Sequence, residues 1–190
     1  MNGSVFERWA NSLVQEGIVS REDEELYSYG LRQSWLFLMN ISTALVIGWL
    51  MDALTACILF MVCYVPLRRM AGGYHARTPF RCYLLGIVLV TAALAAIKWL
   101  PWTMEGALIT TAIASVVIWF LAPVEDENKP LDEDEIKIYR QKLKNVLCIE
   151  WIIIIVVMAL NVKVVAIGLA VSELSASILT IVGKYKKERV

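Results

Sequence analysis

Apolar residues dominate this chain in long blocks, and polar residues fall in short clusters between them. An apolar run extends from Trp35 to Val65. As one helix it would be about 46 Å long, well beyond a hydrocarbon core of about 30 Å. Gly48 and Asp52 interrupt it midway, so two short spans joined near Asp52 fit better than one. Asp52 then reads as a hairpin-tip residue, although an acid inside an apolar run is also a candidate for function. Tyr83 to Ile97 and Gly106 to Ala122 follow, separated by Lys98-Trp-Leu-Pro-Trp. Trp99 and Trp102 suit a membrane interface. Val146 to Leu160 and Val164 to Val182 form a last pair around Asn161 and Lys163. The pattern predicts an all-α polytopic membrane protein with about six transmembrane helices in three hairpins. Several spans are shorter than the usual ~20 residues, so bilayer thinning or charged flanks must compensate.

The first thirty residues predict two short amphipathic helices. Ser4 with Glu7 is a capping-box pattern, and Val5, Phe6, Trp9 and Leu13 share one helical face. Gly17 is a stop signal, and Ser20 with Asp23 repeats the capping pattern. Such helices pack on the protein's own cytoplasmic face or lie on the lipid surface. Pro123 to Pro130 is a loop by composition. Asp132 to Glu135 open a helix that Lys137 to Lys144 close, with charges arranged to suit the helix dipole.

Composition agrees with the pattern. Of 190 residues, 58% are hydrophobic, and mean hydropathy is +0.61. Formal net charge is zero, which offers no bulk field for nucleic acid. All but Lys98 and Lys163 of the 18 basic residues lie at the termini, in 67–82 or in 123–145. The positive-inside rule then places both termini and both long loops in the cytoplasm of a cell membrane. The chain reads as one membrane domain over 1–190. It has an N-terminal amphipathic region at 1–33, cytoplasmic loops at 67–82 and 123–145, and a basic tail at 183–190. No cleavable signal peptide is expected at its N-terminus.

The candidate chemistry lies in the first of those loops. Arg68-Arg69-Met70-Ala71-Gly72-Gly73-Tyr74-His75-Ala76-Arg77-Thr78-Pro79-Phe80-Arg81-Cys82 contains the only histidine in the protein. The other three cysteines, Cys57, Cys63 and Cys148, sit in or beside apolar runs, where cysteine behaves as a small hydrophobe. Thr78 and Pro79 read as the N-cap and first residue of the third span. Cys82 then falls in or just beyond its first turn, where the helix dipole favours thiolate. Arg77 and Arg81 act in the same direction. His75 is suited to take the thiol proton near neutral pH.

Seven residues of continuous helix would hold the pair about 10 Å apart, too far for proton transfer. The Thr78-Pro79 break must therefore let His75 fold back, and Gly72-Gly73 supplies the backbone freedom. The bare pair leaves the bland readings open: a polar surface histidine and a packed cysteine. No third catalytic member can be named. One histidine and one nearby cysteine leave too few ligands for a metal, and no cofactor motif is present.

At this loop the sequence resembles the accessory gene regulator B family of bacterial membrane peptidases. The resemblance rests on Arg68, Gly72-Gly73, His75, Thr78 and Cys82. It extends to Tyr29-Gly30, to Ala122-Pro123 and to Asn128-Lys129-Pro130. It implies a membrane cysteine endopeptidase of quorum sensing, with Cys82 as nucleophile and His75 as general base and acid. The implied substrate is a small pheromone propeptide with an amphipathic leader and an acidic C-terminal tail. It would be cut through an acyl-enzyme and closed to a thiolactone or lactone. Arg68, Gly72, Gly73, Thr78 and Pro79 would support the loop, and Arg77, Arg81 and Lys129 would dock the acidic tail. The resemblance also implies homodimers, although nothing in the sequence marks a dimer seam. A peptide exporter or transport helper and a non-catalytic membrane scaffold are the competing classes. An exporter calls for polar residues inside several spans. Here they are sparse: Asn40, Ser42, Thr43, Ser115 and Ser172 to Ser177, with Glu173 the main acid.

Overall fold

The structure is a computed structural model, and it describes residues 4–74, 76, 78–125 and 132–187. Seven α-helices follow in order: α1 Val5–Gln15, α2 Glu24–Leu50, α3 Leu54–Ala71, α4 Pro79–Trp99, α5 Met104–Leu121, α6 Glu133–Ala159 and α7 Lys163–Lys187. Among the described residues the only β-type pairing is one bridge, between Gly72 and Val124. The chain forms two compact units, residues 1–43 and 44–190.

In the first unit, α1 starts on the expected capping box. The Ser4 amide donates to Glu7 Oε2 at 3.1 Å, and the Glu7 amide donates to Ser4 Oγ at 3.3 Å. Gly17, at φ +72°, ends the turn that follows. The second amphipathic helix does not form as a separate element. Ser20 spends its hydroxyl on the Asp23 carboxylate at 2.7 Å and caps no backbone amide. A single 3-10 turn at Arg21–Asp23 then leads directly into α2. The run of acids and tyrosines contains no breaker, so the helix continues into the first apolar segment.

The second unit holds the end of α2 and helices α3 to α7, connected as the expected hairpins. Asp52 and Asn161 sit at their tips with φ of 50° and 55°, a conformation that Asp and Asn adopt more readily than other non-glycine residues. Gly48 lets α2 and α3 close on one another: a Cβ there would lie 2.7 Å from that of Cys57. Lys98, at the end of α4, donates to the Met51 carbonyl at 2.6 Å. It lies 4.0 Å from the fully exposed Asp52 carboxylate. The hairpin-tip reading of Asp52 therefore holds.

The helices are longer than the apolar runs. They gain length by extending past them into polar sequence, so α2, α4 and α7 reach or exceed 21 residues. Five of them, α2, α3, α4, α5 and α7, are long and apolar enough to cross a membrane. The expected break after Lys144 is absent. The helix begun at Asp132 runs unbroken to Ala159, so the polar helix and the fifth apolar segment are one element. Nothing between Lys144 and Val146 stops a helix, and favourable end charges alone do not terminate one.

α7 is the core helix. It packs against α3, α4, α5 and α6, and 72% of its apolar stretch is buried, against 28% or less in the other four spans. Its buried face is rich in small residues (Ala166, Ala170, Ser172, Ser175, Ala176 and Ser177) that allow close helix approach. Ser172, Ser177 and Thr180 return their hydroxyls to carbonyls of α7 itself, each at 2.8 Å.

Candidate active loop and a buried carboxyl pair

The chain leaves α3 through two glycines that no other residue could replace without movement. Gly72 has φ +68° and Gly73 φ +109°. A Cβ on Gly72 would meet the Val124 carbonyl oxygen at 2.1 Å; one on Gly73 would meet the Leu179 carbonyl oxygen at 2.7 Å and Arg68 Nη1 at 2.8 Å. The reason for this crowding is a set of backbone bonds. The Val124 amide donates to the Ala71 carbonyl at 2.9 Å, and the Gly73 amide donates to the Val124 carbonyl at 3.2 Å. The Tyr74 amide donates to the Leu179 carbonyl at 2.9 Å. Ala71–Tyr74 is thus held between the strap that follows α5 and the late turns of α7.

Arg68 closes this junction. Its Nη2 donates to the Tyr74 carbonyl at 2.5 Å, and Tyr64 lies one turn earlier on α3. Arg68 therefore ties the end of α3 to the stretch of the loop that leads to His75. Lys186 stands 5.3 Å from the centre of the Tyr74 ring.

On the far side of the loop, Thr78 has an extended backbone and accepts from the Arg81 amide at 3.3 Å, with Pro79 in the first helical position. The Cys82 amide donates to the Thr78 carbonyl at 3.0 Å, which places Cys82 in the first turn of α4. No acidic residue occupies that turn, and Arg81 is exposed within it. His75, Arg77 and Lys129 lie outside the described residues. Among the sequence-derived candidates, Arg68, Gly72 and Gly73 converge, and Thr78, Pro79, Arg81 and Cys82 share one helix start. Val124, Leu179 and Gly183 were missed. Only the local signal of Pro123 and Gly183 could have pointed to them.

A second polar cluster lies inside the helical core. Glu173 of α7 accepts from Ser115 Oγ of α5, and Ser115 accepts from Trp151 Nε1 of α6 at 3.0 Å. Glu150 of α6 lies near Glu173. Both carboxyls are buried, at 4% and 0% exposure. Cys63 of α3 packs against the core cluster that includes Ile154, Leu169 and Ala170. Glu150 and Glu173 are thus buried acids of the helical core, whereas Asp52 is fully exposed. Of the polar residues that looked sparse along the chain, Ser115 and Glu173 meet here.

The fold and loop define a polytopic α-helical membrane protein with a cysteine at a capped helix start beside a clamped glycine loop. The model of the family described as accessory gene regulator B matches residues 6–181, and the chain belongs to that family. It is similar to a protein described as AgrB-like from Clostridium perfringens (strain SM101 / Type A), with 26% identity over 139 residues. That match covers 67% of this chain and 65% of the relative, so the chain spans just under two thirds of the relative's length. No solved structure matches.

Proposed function

We propose that the protein is a membrane cysteine endopeptidase that cuts a small quorum-sensing propeptide. The observation that carries this reading is the clamp on Ala71–Tyr74. Tyr74, next in the chain to His75, is fixed by Leu179 and Arg68, while Cys82 sits in the capped first turn of α4. A loop held this firmly on both flanks suits a site that must present two side chains to one substrate bond.

In the proposed reaction, His75 takes the Cys82 proton and the thiolate attacks the scissile carbonyl carbon. The C–N bond breaks, the new amine leaves with the proton from His75, and the peptide remains as a thioester. A cysteine or serine within the peptide then attacks that thioester. This forms the thiolactone or lactone and returns the proton to Cys82. The acidic tail of the propeptide would dock on Arg77, Arg81 and Lys129, its amphipathic leader on lipid, and the enzyme would work as a homodimer. The active loop, both termini and 123–145 face the cytoplasm in this reading.

The test is purified protein in liposomes with synthetic propeptide. Wild type should cut without a gradient or partner, and Cys82→Ser should accumulate no thioester and no product. Cys57→Ser, Cys63→Ser and Cys148→Ser should cut normally. Normal turnover by Cys82→Ser would remove the thiol as nucleophile.

One observation favours the runner-up, a peptide exporter or transport helper: the Ser115, Glu150 and Glu173 cluster joins three helices inside the core, where ionisable groups often mark transport paths. Uptake of intact propeptide that depends on a proton gradient, with no cleavage, would select it.

A further inference from the structure

We propose that the cleft between the last turn of α5 and the middle of α6 binds the phosphate headgroup of an anionic phospholipid. The cleft has a volume of about 250 Å³ and is lined by Trp119, Phe120, Ala122, Arg140, Leu143 and Lys144. Ala122 and Leu143 are buried at 1% and 2% exposure and form its apolar floor. Trp119 and Phe120 end a membrane-spanning helix and remain 49% and 76% exposed. Aromatic side chains at the end of a span lie at the level of lipid headgroups.

Charge identifies the ligand. Arg140 and Lys144 are four residues apart on α6 and share a face. Lys137, one turn earlier, is paired with Asp134 at 3.0 Å. Among the described residues no carboxylate lies within ion-pair distance of Arg140 or Lys144. Lys144 Nζ instead rests 5.1 Å from the centre of the Trp119 ring. Two cations that pair with no described carboxylate therefore border an exposed aromatic wall. The end of α5 opposes an anion with a partial charge of only about half a unit, against two full positive charges. A phosphodiester can take both cations while its acyl chains cover Phe120. A water-borne acidic peptide would match the cations but leave that apolar surface unused. Basic pockets between spans at the headgroup level bind anionic lipid in this way.

The position matters for the rest of the molecule. Ala122 lines the cleft, and Val124, two residues on, holds Ala71 and Gly73 through its backbone. A lipid in the cleft bears on the strap that clamps the candidate loop. The proposal does not depend on the peptidase reading, because it is read without turnover.

The experiment titrates full-length protein in neutral detergent with phosphatidylglycerol or phosphatidylcholine of the same acyl chains. Native mass spectrometry reads bound lipid, and thermal unfolding reads stabilisation. Wild type should prefer phosphatidylglycerol about tenfold or more. Arg140→Gln with Lys144→Gln should lose that preference, and Lys137→Gln should keep it. If the double variant does not fold, each single substitution should lose part of it. An equal preference in wild type and variants, or none in wild type, overturns the proposal. So does equal stabilisation by soluble glycerophosphate. Cation-dependent binding of an acidic peptide with no lipid preference would make the cleft a peptide site instead.

Discussion

The backbone amide of Tyr74 donates to the carbonyl oxygen of Leu179 across 2.9 Å, which makes the late turns of α7 the floor under the chain leading to His75. The two residues are far apart in sequence, and one main-chain bond ties the loop to the most buried helix of the bundle. Loop geometry is therefore set by α7 as much as by the loop's own residues.

Gly183 makes that contact possible. A Cβ there would lie 2.5 Å from the Tyr74 amide nitrogen and 2.6 Å from the Gly73 carbonyl carbon. Both are backbone atoms and cannot swing aside. Gly183→Ala should push the loop off α7 at a cost of about 1–3 kcal/mol, so cleavage should fall about tenfold or more. Gly168→Ala meets only the Leu59 Cβ at 3.4 Å and should leave activity near wild type. The measurement is propeptide cleavage together with the alkylation rate of Cys82. Unchanged values for Gly183→Ala would show that the loop does not need this seat.

The buried carboxyls give a stability prediction. Glu173 accepts the Ser115 hydroxyl, and an amide at the same place can still accept it. Glu173→Gln should therefore unfold close to wild type. Glu173→Ala leaves Ser115 without this acceptor in a buried site and should lose about 1–3 kcal/mol. Thermal unfolding in detergent compares the two, and equal melting of both variants would remove this bond from the account.

Much of the fold could be read from the sequence because its hairpins carry local signals. Asp52 and Asn161 adopt the left-handed conformation their side chains tolerate, and Thr78-Pro79 supplies cap and first residue as the pattern predicts. The fusion of the 132–144 segment with the next span was not legible, because continuity needs only the absence of a breaker. Nor was the meeting of Ser115, Glu150 and Glu173. Helical periodicity shows which face of each helix a residue occupies, but not which helix lies opposite. Gly183 lies inside α7, and the reason for a glycine there lies at Gly73 and Tyr74, in another part of the chain.

Membrane orientation yields to labelling. Single cysteines at Arg77 and in the Lys184–Arg189 tail, in a background lacking the native four, should be shielded from impermeant thiol reagents added to intact cells. A cysteine at Pro101, in the tight connection between α4 and α5, should react. Labelling of the Arg77 position from outside would overturn the cytoplasmic placement of the loop.

The last prediction concerns the start of α4. Thr78 keeps an extended backbone and caps the Arg81 amide at 3.3 Å, and Pro79 fills the first helical position. Together they stop the helix from growing backward through Ala76. Pro79→Ala alone should be tolerated, since threonine can still cap. Replacing both Thr78 and Pro79 by alanine removes the cap, worth about 1 kcal/mol, and removes the barrier to helical geometry before Pro79. The helix should then extend and carry His75 away from Cys82, because residues seven apart on one helix stand about 10 Å from each other. The protein should still insert and fold, since α4 keeps its packing along its length. The measurement is the pH dependence of Cys82 alkylation in wild type, His75→Ala and the double alanine variant. An imidazole that shares the thiol proton lets alkylation proceed at lower pH. Loss of His75 should shift the profile to higher pH, and the double alanine variant should shift with it. Identical profiles in all three proteins would leave the helix end and Arg81 as the groups acting on the thiol, and the histidine–cysteine pair would have to be abandoned.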